Sequence, residues 1–444
     1  MLKRQNHKLL LKNLLPFYCC LLLLFVLNIP VRAQSESGYL TKDGTWCWFS
    51  DPRAIVVGED VITGWVKTNG TIEAAKFDLN SATVQTSELY FMLEADDHDN
   101  PAFTTTANGK LLVMYTRHSR KDLFINFSEN EDDFDFSGAQ LIHPISSGEL
   151  EKFPRETMTY ANPFRLENEN NRIYCFGRWT GFKPNMMWSD DNGKNWSKSR
   201  VFITNYPFYG NNRPYVKYFS DGKSKIHIVF TDGHPRDEPT NSVYYAYYEN
   251  GAFYKASGEQ ICTMEEIPFE PKDASVVYTS NLEEGRAWIA DIGQDEENNP
   301  VLLYTKSPTE NNHEYWYARY TANGWENHKI CDSGKWFPQT PEGKKEFEAH
   351  YFGGMTVHPG NANVVYLSRQ INGIFEIERY ETNDLGNSWK TEAITKDSDY
   401  DNVRPYIPRG LTAGQKEVVL WMENQKYIHY TNFKTSVKYS FRKK

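Results

Sequence analysis

One eight-residue motif occurs twice in this 444-residue sequence and constrains its fold more than any other feature. Residues 189–196 read SDDNGKNW and residues 382–389 read TNDLGNSW, so both match the Asp-box pattern S/T-x-D-x-G-x-x-W. In such a turn the Asp caps backbone amides, the Gly takes a positive φ angle and the Trp packs beneath. Two copies in one chain indicate the repeated hairpins of a β-propeller and predict a structural role for the motif itself.

The rest of the chain reads as short strands joined by tight turns. After residue 33, no run of twelve or more residues has the 3.6-residue periodicity of a helix. Short alternating segments bounded by Gly, Asn, Asp or Pro recur instead, and they are Ala54–Val57, Lys110–Tyr115, Arg172–Phe176, Lys225–Phe230, Pro300–Tyr304, Val364–Leu367 and Glu417–Trp421. We therefore predict one all-β domain over residues 34–444, a seven-bladed β-propeller with about 58 residues per blade. Six blades with longer loops is the alternative.

The N-terminal residues predict export. A basic segment with Lys3 and Arg4 precedes the apolar run 19–26, and Val31-Arg32-Ala33 offers small residues for cleavage, so residues 1–33 are predicted to be a signal peptide. The apolar run is much shorter than the roughly 20 residues that cross a bilayer. We expect a secreted or periplasmic protein without a membrane span, and we favour this over a lipid anchor because Cys19 and Cys20 begin the apolar run instead of following it.

Charge and cysteine content narrow the function classes. Residues 1–33 contain five Lys or Arg residues and no acid, so 44 basic and 58 acidic residues remain, a net charge of −14. Nucleic acid is disfavoured as a partner because phosphate binding depends on Lys and Arg. The remaining cysteines (Cys47, Cys175, Cys262 and Cys331) are too few and too scattered for a disulfide scaffold, and we predict no metal or cofactor. A metal site using Cys262, Cys331 and His313 remains an unsupported alternative.

Candidate functional residues concentrate in three consecutive predicted blades. In each blade one polar residue precedes a strand and another follows the partner strand, which places both on one face of a propeller. These residues are His98, His118, Tyr160, Arg178, Arg213, Tyr215 and His234. The pairing of two histidines at matching strand ends makes a functional role as reasonable as a structural one.

The residue types indicate elimination instead of hydrolysis. Ordinary glycosidases use two carboxylates, and this cluster has no matching pair. In a uronic acid the C5 proton is α to a carboxylate, which Arg or His donors can neutralise. A His or Tyr can then remove that proton, and a His or Tyr can protonate O4 as it leaves. These roles need no metal, and the sequence leaves open which group is the base and which the acid.

Four segments together resemble a known family. Residues 46–54 (WCWFSDPRA), 97–102 (DHDNPA), 213–215 (RPY) and 231–235 (TDGHP) are similar to BNR-repeat seven-bladed propellers, and within them to the ulvan lyases of polysaccharide lyase families 24 and 25. The resemblance covers about residues 39–431. It implies cleavage of the C4–O bond of glucuronate or iduronate in ulvan, a sulfated rhamnose-rich polysaccharide, which leaves a 4,5-unsaturated uronate.

The resemblance also implies roles for individual residues. His98 looks like the principal catalytic histidine of the family, His118 like its neighbour, Tyr160 like the catalytic tyrosine and Arg178 like the arginine that neutralises the carboxylate. The resemblance implies Tyr215 as a substrate contact, with Tyr218 a rival for that match, and we also expect Arg213 and His234 to contact the substrate. We expect an acidic, ulvan-like poly- or oligosaccharide substrate and a monomeric enzyme.

Several related functions remain open. If the site admits only a chain end, the same residues would act as an oligosaccharide dehydratase, and rhamnosyl-glucuronate lyases and rhamnosidases share the scaffold. A sialidase would need an early Arg-Ile-Pro motif, which Asp51-Pro-Arg-Ala matches poorly. A non-catalytic sugar-binding propeller would not need His98, His118 and Tyr160 together. An elimination assay separates these alternatives.

Overall fold

The computed structural model describes residues 36–129, 134–309, 312–334, 352–412 and 414–442. In these ranges the chain forms seven antiparallel sheets, each built mainly from consecutive strands. The seven-bladed all-β prediction is therefore confirmed. The predicted signal peptide lies outside the described residues, and no described helix is long and apolar enough to cross a membrane.

The blades follow one another along the chain. Blade one contains β2 (Ala54–Val57), β3 (Asp60–Val66), β4 (Ile72–Asp78) and β5 (Val84–Tyr90). Blade two contains β6 (Ala102–Thr105), β7 (Leu111–Thr116), β8 (Leu123–Phe127) and β9 (Gln140–Ile142). Blade three contains β10 (Asn162–Leu166), β11 (Arg172–Arg178), β12 (Pro184–Ser189) and β13 (Arg200–Val201). Helix α1 (Ser147–Lys152) lies in the link between blades two and three.

The remaining blades include one enlarged sheet. Blade four contains β14 (Val216–Ser220), β15 (Lys225–Thr231), β16 (Val243–Glu249), β17 (Ala252–Tyr254), β18 (Gln260–Thr263) and β19 (Ser275–Tyr278), which pairs with β16. Blade five contains β20 (Arg286–Gln294), β21 (Pro300–Thr309), β22 (Asn312–Thr321) and β23 (Gly324–Asp332). Blade six contains β24 (Met355–His358), β25 (Asn361–Ile371), β26 (Ile374–Glu381) and β27 (Lys390–Ala393). The other short elements are 3₁₀ turns at Asp97–Asp99, Glu167–Glu169 and Pro271–Asp273.

Blade seven joins the two ends of the described chain. It contains β28 (Asp401–Tyr406), β29 (Glu417–His429) and β30 (Asn432–Arg442), and its outer strand is β1 (Glu36–Thr41). Strand β1 runs antiparallel to β30, with Ser37 opposite Ser440. This pairing closes the ring, because the last blade would otherwise lack its outer strand.

The second strand of blade two shows how alternation packs neighbouring blades. Every residue of β7 is buried. Leu111, Val113 and Tyr115 face blade one, whereas Leu112 and Met114 face blade three. Both faces of the sheet are covered, so a continuous apolar strand is stable here where a half-exposed strand would alternate with polar residues. Each of the seven segments predicted as strands lies in a different blade.

Both Asp-boxes form the turn between the third and fourth strands of a blade. In the first, Asp191 Oδ1 accepts the Asn195 amide at 2.8 Å, Ser189 Oγ accepts the Gly193 amide at 2.9 Å, and Gly193 has a φ of +84°. Trp196 Nε1 donates to the Gly193 carbonyl at 2.8 Å. The predicted structural role fits these contacts, because each one stabilises the turn itself.

The segment after β1 crosses the propeller axis. Its Asp51 carboxylate is buried and forms ion pairs with Lys217 of β14 and Arg53, and the Asp51 amide donates to Asn162 Oδ1 of β10 at 2.8 Å. Phe49 packs against Tyr215 with ring centroids 4.8 Å apart. Links from several blades therefore meet on one segment, which positions them relative to one another.

We predict that Asp191→Ala lowers the free energy of unfolding by about 1–2 kcal/mol, because it removes the acceptor of the Asn195 amide. Asp190→Ala is the matched control: it removes only an exposed ion pair with Arg172, whose expected contribution is below about 1 kcal/mol. Denaturant unfolding measures both variants. Equal losses would contradict the role assigned to the motif.

Candidate active site

All seven predicted site residues lie on one face of the propeller, which we call the site face. Each antiparallel blade returns its second strand to the face where its first strand began. Links into a blade and turns between its second and third strands therefore share that face. His98, Tyr160, Arg213 and Tyr215 lie in links into blades two, three and four, whereas His118 and His234 follow β7 and β15, and Arg178 ends β11.

A single carboxylate holds the two histidines together. Asp96 begins the 3₁₀ turn Asp97–Asp99, and its Oδ1 accepts the backbone amide of His98 at 3.0 Å. The same Oδ1 lies 2.7 Å from His98 Nδ1, and Asp96 Oδ2 lies 3.0 Å from His118 Nδ1. The imidazole rings are stacked, with centroids 3.9 Å apart and planes 12° from parallel. Asp96 therefore fixes both rings through their Nδ1 atoms. The Nε2 atom of each ring is left to accept or donate a proton.

The stacked pair holds its two rings in different protonation states. Burial opposes the charged form of His98, but the Asp96 carboxylate beside it accepts a hydrogen bond from that form and helps to raise the pKa of His98 well above 6.5. Burial and the positive charge of His98 lower the pKa of His118 to about 4. Two imidazolium ions at this separation would repel each other strongly. Near neutral pH the pair therefore combines one imidazolium with one neutral imidazole.

The carboxylate of Asp97 is a second negative charge beside His98 Nδ1. Its Oδ1 lies 3.0 Å from His98 Nδ1, and its Oδ2 accepts hydrogen bonds from Tyr427 and, at 2.7 Å, from Arg404. Burial by itself would raise the pKa of Asp97, but Arg404 and His98 keep it lowered. Arg404 of blade seven therefore keeps the buried Asp97 carboxylate charged, and this carboxylate lies next to His98 of blade two.

Tyr160 stands between the histidines and the arginines. Its ring centroid is 5.6 Å from that of His98, and Arg178 Cζ lies 5.2 Å from the Tyr160 ring. The backbone of Tyr160 has a φ of +69°, and its carbonyl accepts a hydrogen bond from Trp179 Nε1 at 2.9 Å. Burial raises the pKa of Tyr160 well above 10, so its phenol stays protonated. A left-handed non-glycine residue held this way is typical of functional sites.

Two arginines on the site face have no carboxylate partner among the described residues. Arg178 is buried, and its Nε and Nη1 atoms have no hydrogen-bond partner. The Nε of Arg213 is also buried without a partner. Burial lowers the pKa of Arg213, and the positive charges of Arg178 and Arg236 lower it further. Buried cations without counterions are costly, so this arrangement suits an anionic ligand.

Of the predicted substrate contacts, Tyr215 lines the pocket and His234 lies behind it. Tyr160, Arg178 and Tyr215 line one pocket, and the Tyr215 ring is 5.0 Å from Arg178 Cζ. His234 packs behind Tyr215 at 5.3 Å, and burial together with nearby arginines lowers its pKa well below 6.5. Tyr218 also borders the pocket, but its ring stacks on Phe176 in the core between blades. Tyr215 is therefore the better candidate for the substrate contact.

Sequence reasoning missed three participants. Tyr430, in the turn after β29, meets the rings of His98 and His118 edge-on at 4.9 and 5.0 Å. Asp97 begins the motif around His98 and Asp96 directly precedes it, but neither was assigned a role. The acid-rich loop was a usable signal for these carboxylates, because adjacent acids are what a charged histidine requires. No local signal marked Tyr430.

Two groups of donor atoms are close enough to share a metal ion. The groups are Cys47, Asp97 and His98, and Asp96, His98 and His118, each with atoms within 4.8 Å of one another. In both groups His98 Nδ1 already lies at hydrogen-bond distance from a carboxylate. The contacts therefore fit a hydrogen-bonded acid–base cluster. The four described cysteines, including Cys47 and Cys175, are free thiols.

Comparisons with solved structures define the class of fold. The chain is similar to an ulvan lyase of polysaccharide lyase family 25 bound to -[GlcA(1-4)Rha3S]-, with a TM-score of 0.68, 12% identity, and coverage of 91% of this chain and 95% of that chain. It is also similar to the polysaccharide lyase Uly1, with a TM-score of 0.57, 13% identity, and coverage of 91% and 97%. At these identities the likeness shows the fold alone, a seven-bladed β-propeller.

The family follows from the sequence match. The model of the BNR repeat-containing family matches residues 62–333, more than half of the chain, and the protein belongs to this family. The search of curated proteins found no match.

We predict that Asp96→Asn makes His98 titrate at lower pH than in the wild type. The wild-type imidazolium is present below the raised pKa and is lost as pH rises through it, and Asp96 is one of the groups that raise that pKa. NMR titration of the His98 ring measures the shift. Asp122→Asn is the control, because Asp122 pairs with Arg117 on the neighbouring turn. An unchanged titration of His98 in Asp96→Asn would contradict the proposed coupling.

Proposed function

We propose that this protein cleaves an acidic polysaccharide by β-elimination at the C4–O bond of a uronic acid, as an ulvan lyase does. One observation carries the proposal: Tyr160 stacks against the stacked pair of His98 and His118, and it lines one pocket together with Arg178, which has no carboxylate partner among the described residues. The identity of the relatives with lyase activity is too low to carry it alone. The predicted substrate, an ulvan-like chain of uronate and sulfated rhamnose, agrees with the sugar bound to the structurally similar ulvan lyase.

Arg178 is proposed to neutralise the uronate carboxylate. Removing the proton at C5 places negative charge on that carboxylate, and a guanidinium fork can bind both of its oxygens. Arg178 has buried Nε and Nη1 atoms without partners, so an incoming carboxylate would supply the missing acceptors. The Tyr160 and Tyr215 rings on either side keep the guanidinium in place.

The neutral member of the histidine pair is proposed to be the base. The pKa of His118 is lowered to about 4, so its ring is neutral. Its Nδ1–H donates a hydrogen bond to Asp96, and its Nε2 keeps a lone pair. That lone pair takes the C5 proton, and the electrons of the C5–H bond form the C4–C5 double bond while the C4–O4 bond breaks. The protonated phenol of Tyr160 gives its proton to O4. The imidazolium of His98 stabilises the negative charge that develops between these steps.

The group that leaves C4 decides between two related activities. Loss of a sugar makes the enzyme a lyase, and loss of hydroxide from a chain end makes it a dehydratase with the same residues. We propose the lyase. The assay below distinguishes it from the dehydratase and from a binding protein without activity.

We expect the protein to shorten ulvan while the ultraviolet absorbance of a double bond conjugated with a carboxylate rises. Chromatography measures chain length, and absorbance measures the new bond. Rising absorbance on oligosaccharides that keep their length would contradict the lyase and indicate a dehydratase. No absorbance change with retained sugar binding would leave only a binding propeller.

We expect His118→Ala and Tyr160→Phe each to lower kcat by about 10²–10⁴-fold, because each removes one proton-transfer group. The activity of the wild type should fall as His118 becomes protonated near pH 4 and should fall again as pH rises through the higher pKa of His98. His143→Ala is the control, since the ring of this exposed histidine contacts the Lys121 carbonyl and lies outside the site. Full activity in either variant would remove that residue from the mechanism.

A further inference from the structure

A third arginine on the site face lies outside the catalytic pocket. The side chains of Arg155, Arg178 and Arg213 surround the ring of Phe182, with Cζ atoms 5.6, 5.8 and 4.6 Å from its centroid. None of the three arginines forms an ion pair with a described carboxylate, although this chain is rich in acidic residues. Three guanidinium groups around one ring repel one another, so the protein keeps an unneutralised positive charge here.

Exposure increases along this series. Arg178 is buried, Arg213 is half-buried and Arg155 is exposed. The cluster therefore leads from the pocket, where the uronate carboxylate is proposed to bind, to open solvent. A chain molecule with anions on successive sugars would meet one arginine after another along such a path.

The backbone around Phe182 is held in an uncommon conformation. Arg155 has a φ of +91° and Phe182 a φ of +58°, and the Gly181 amide donates to the Arg155 carbonyl at 2.8 Å. Left-handed conformations cost energy in residues with a side chain and persist where the surrounding structure enforces them. Here they place the aromatic ring and the exposed guanidinium side by side.

The neighbouring link into blade four is also fixed. Buried Lys183 donates to the carbonyls of Tyr209 and Asn212 at 3.0 and 2.7 Å. Arg155 Nη1 donates to Asn211 Oδ1 at 3.3 Å, and Asn211 Nδ2 donates to the hydroxyl of Tyr209 at 3.3 Å. The Tyr209 side chain is 60% exposed, which offers an aromatic face for a sugar beside the guanidinium.

We propose that Arg155 and Arg213, together with Phe182, form a second anion-binding subsite that binds an oxyanion on a sugar next to the reacting uronate. The chemistry is a bidentate guanidinium–oxyanion contact, and the oxyanion is either a sulfate ester or the carboxylate of the next uronate. This inference rests on the proposed elimination, because that proposal places the reacting uronate at Arg178. It adds a requirement: efficient substrates carry at least two negative charges on different sugars.

The test compares Arg155→Gln with Arg172→Gln. Both variants remove one positive charge, and Arg172 begins the same strand, β11, that Arg178 ends, so it lies on the opposite face. We expect Arg155→Gln to raise KM for long sulfated ulvan oligosaccharides about tenfold with kcat nearly unchanged, the effect of losing one charge-assisted contact. We expect no change in Arg172→Gln.

Two further substrates identify the anion. If the ratio of variant to wild-type KM falls to one on desulfated oligosaccharides of the same length, the subsite binds sulfate. If it falls to one only on oligosaccharides with a single uronate, the subsite binds the next carboxylate. An unchanged KM for Arg155→Gln on every substrate would overturn the proposal.

Direct binding separates this inference from the proposed activity. Calorimetry with the sulfated oligosaccharides measures affinity whether or not elimination occurs. If the wild type binds without eliminating and Arg155→Gln binds about tenfold more weakly, the subsite stands and the proposed activity fails. If both proteins bind equally, the subsite fails regardless of activity.

Discussion

The pairing of β1 with β30 is the contact on which the rest of the structure depends. It closes the ring of seven blades, and it fixes the start of the segment that crosses the axis. On that segment Asp51 is buried against Lys217 and Arg53, an arrangement that is stable only when all three charges are in place. Closure also brings Tyr430 of the last blade to the histidines of the second blade. The site therefore exists only in the completed ring.

Charge is distributed unevenly across the site face. The histidine side contains two carboxylates, Asp96 and Asp97, whose negative charge is balanced by His98 and Arg404. On the arginine side, Arg155, Arg178 and Arg213 form no ion pair with a described carboxylate. In the proposed function this asymmetry gives the two halves different tasks: the first sets the protonation state of the bases and acids, and the second attracts an anion. In the proposed function, binding of an acidic sugar recovers the energetic cost of these unpaired cations.

Much of the site was predictable because its residues follow a positional rule. His98 and His118 were expected to meet because one precedes the first strand of a blade and the other follows the second, and their rings are stacked. Tyr160 and Arg178 obey the same rule in the next blade. Tyr430 was not predicted, because it lies more than 300 residues away along the chain and reaches the pair only through ring closure. The opposite protonation states were also not predictable, since they arise from burial and stacking.

The sequence by itself determined the all-β class, the repeated blades and the turns that the Asp-boxes form. These properties are local: a period-two pattern, a glycine with positive φ and an aspartate that caps nearby amides lie within a few residues of one another. Only the tertiary structure decided which imidazole has the raised pKa and which arginines lack a carboxylate partner. Those properties depend on distances and burial between blades, and a linear sequence does not contain them.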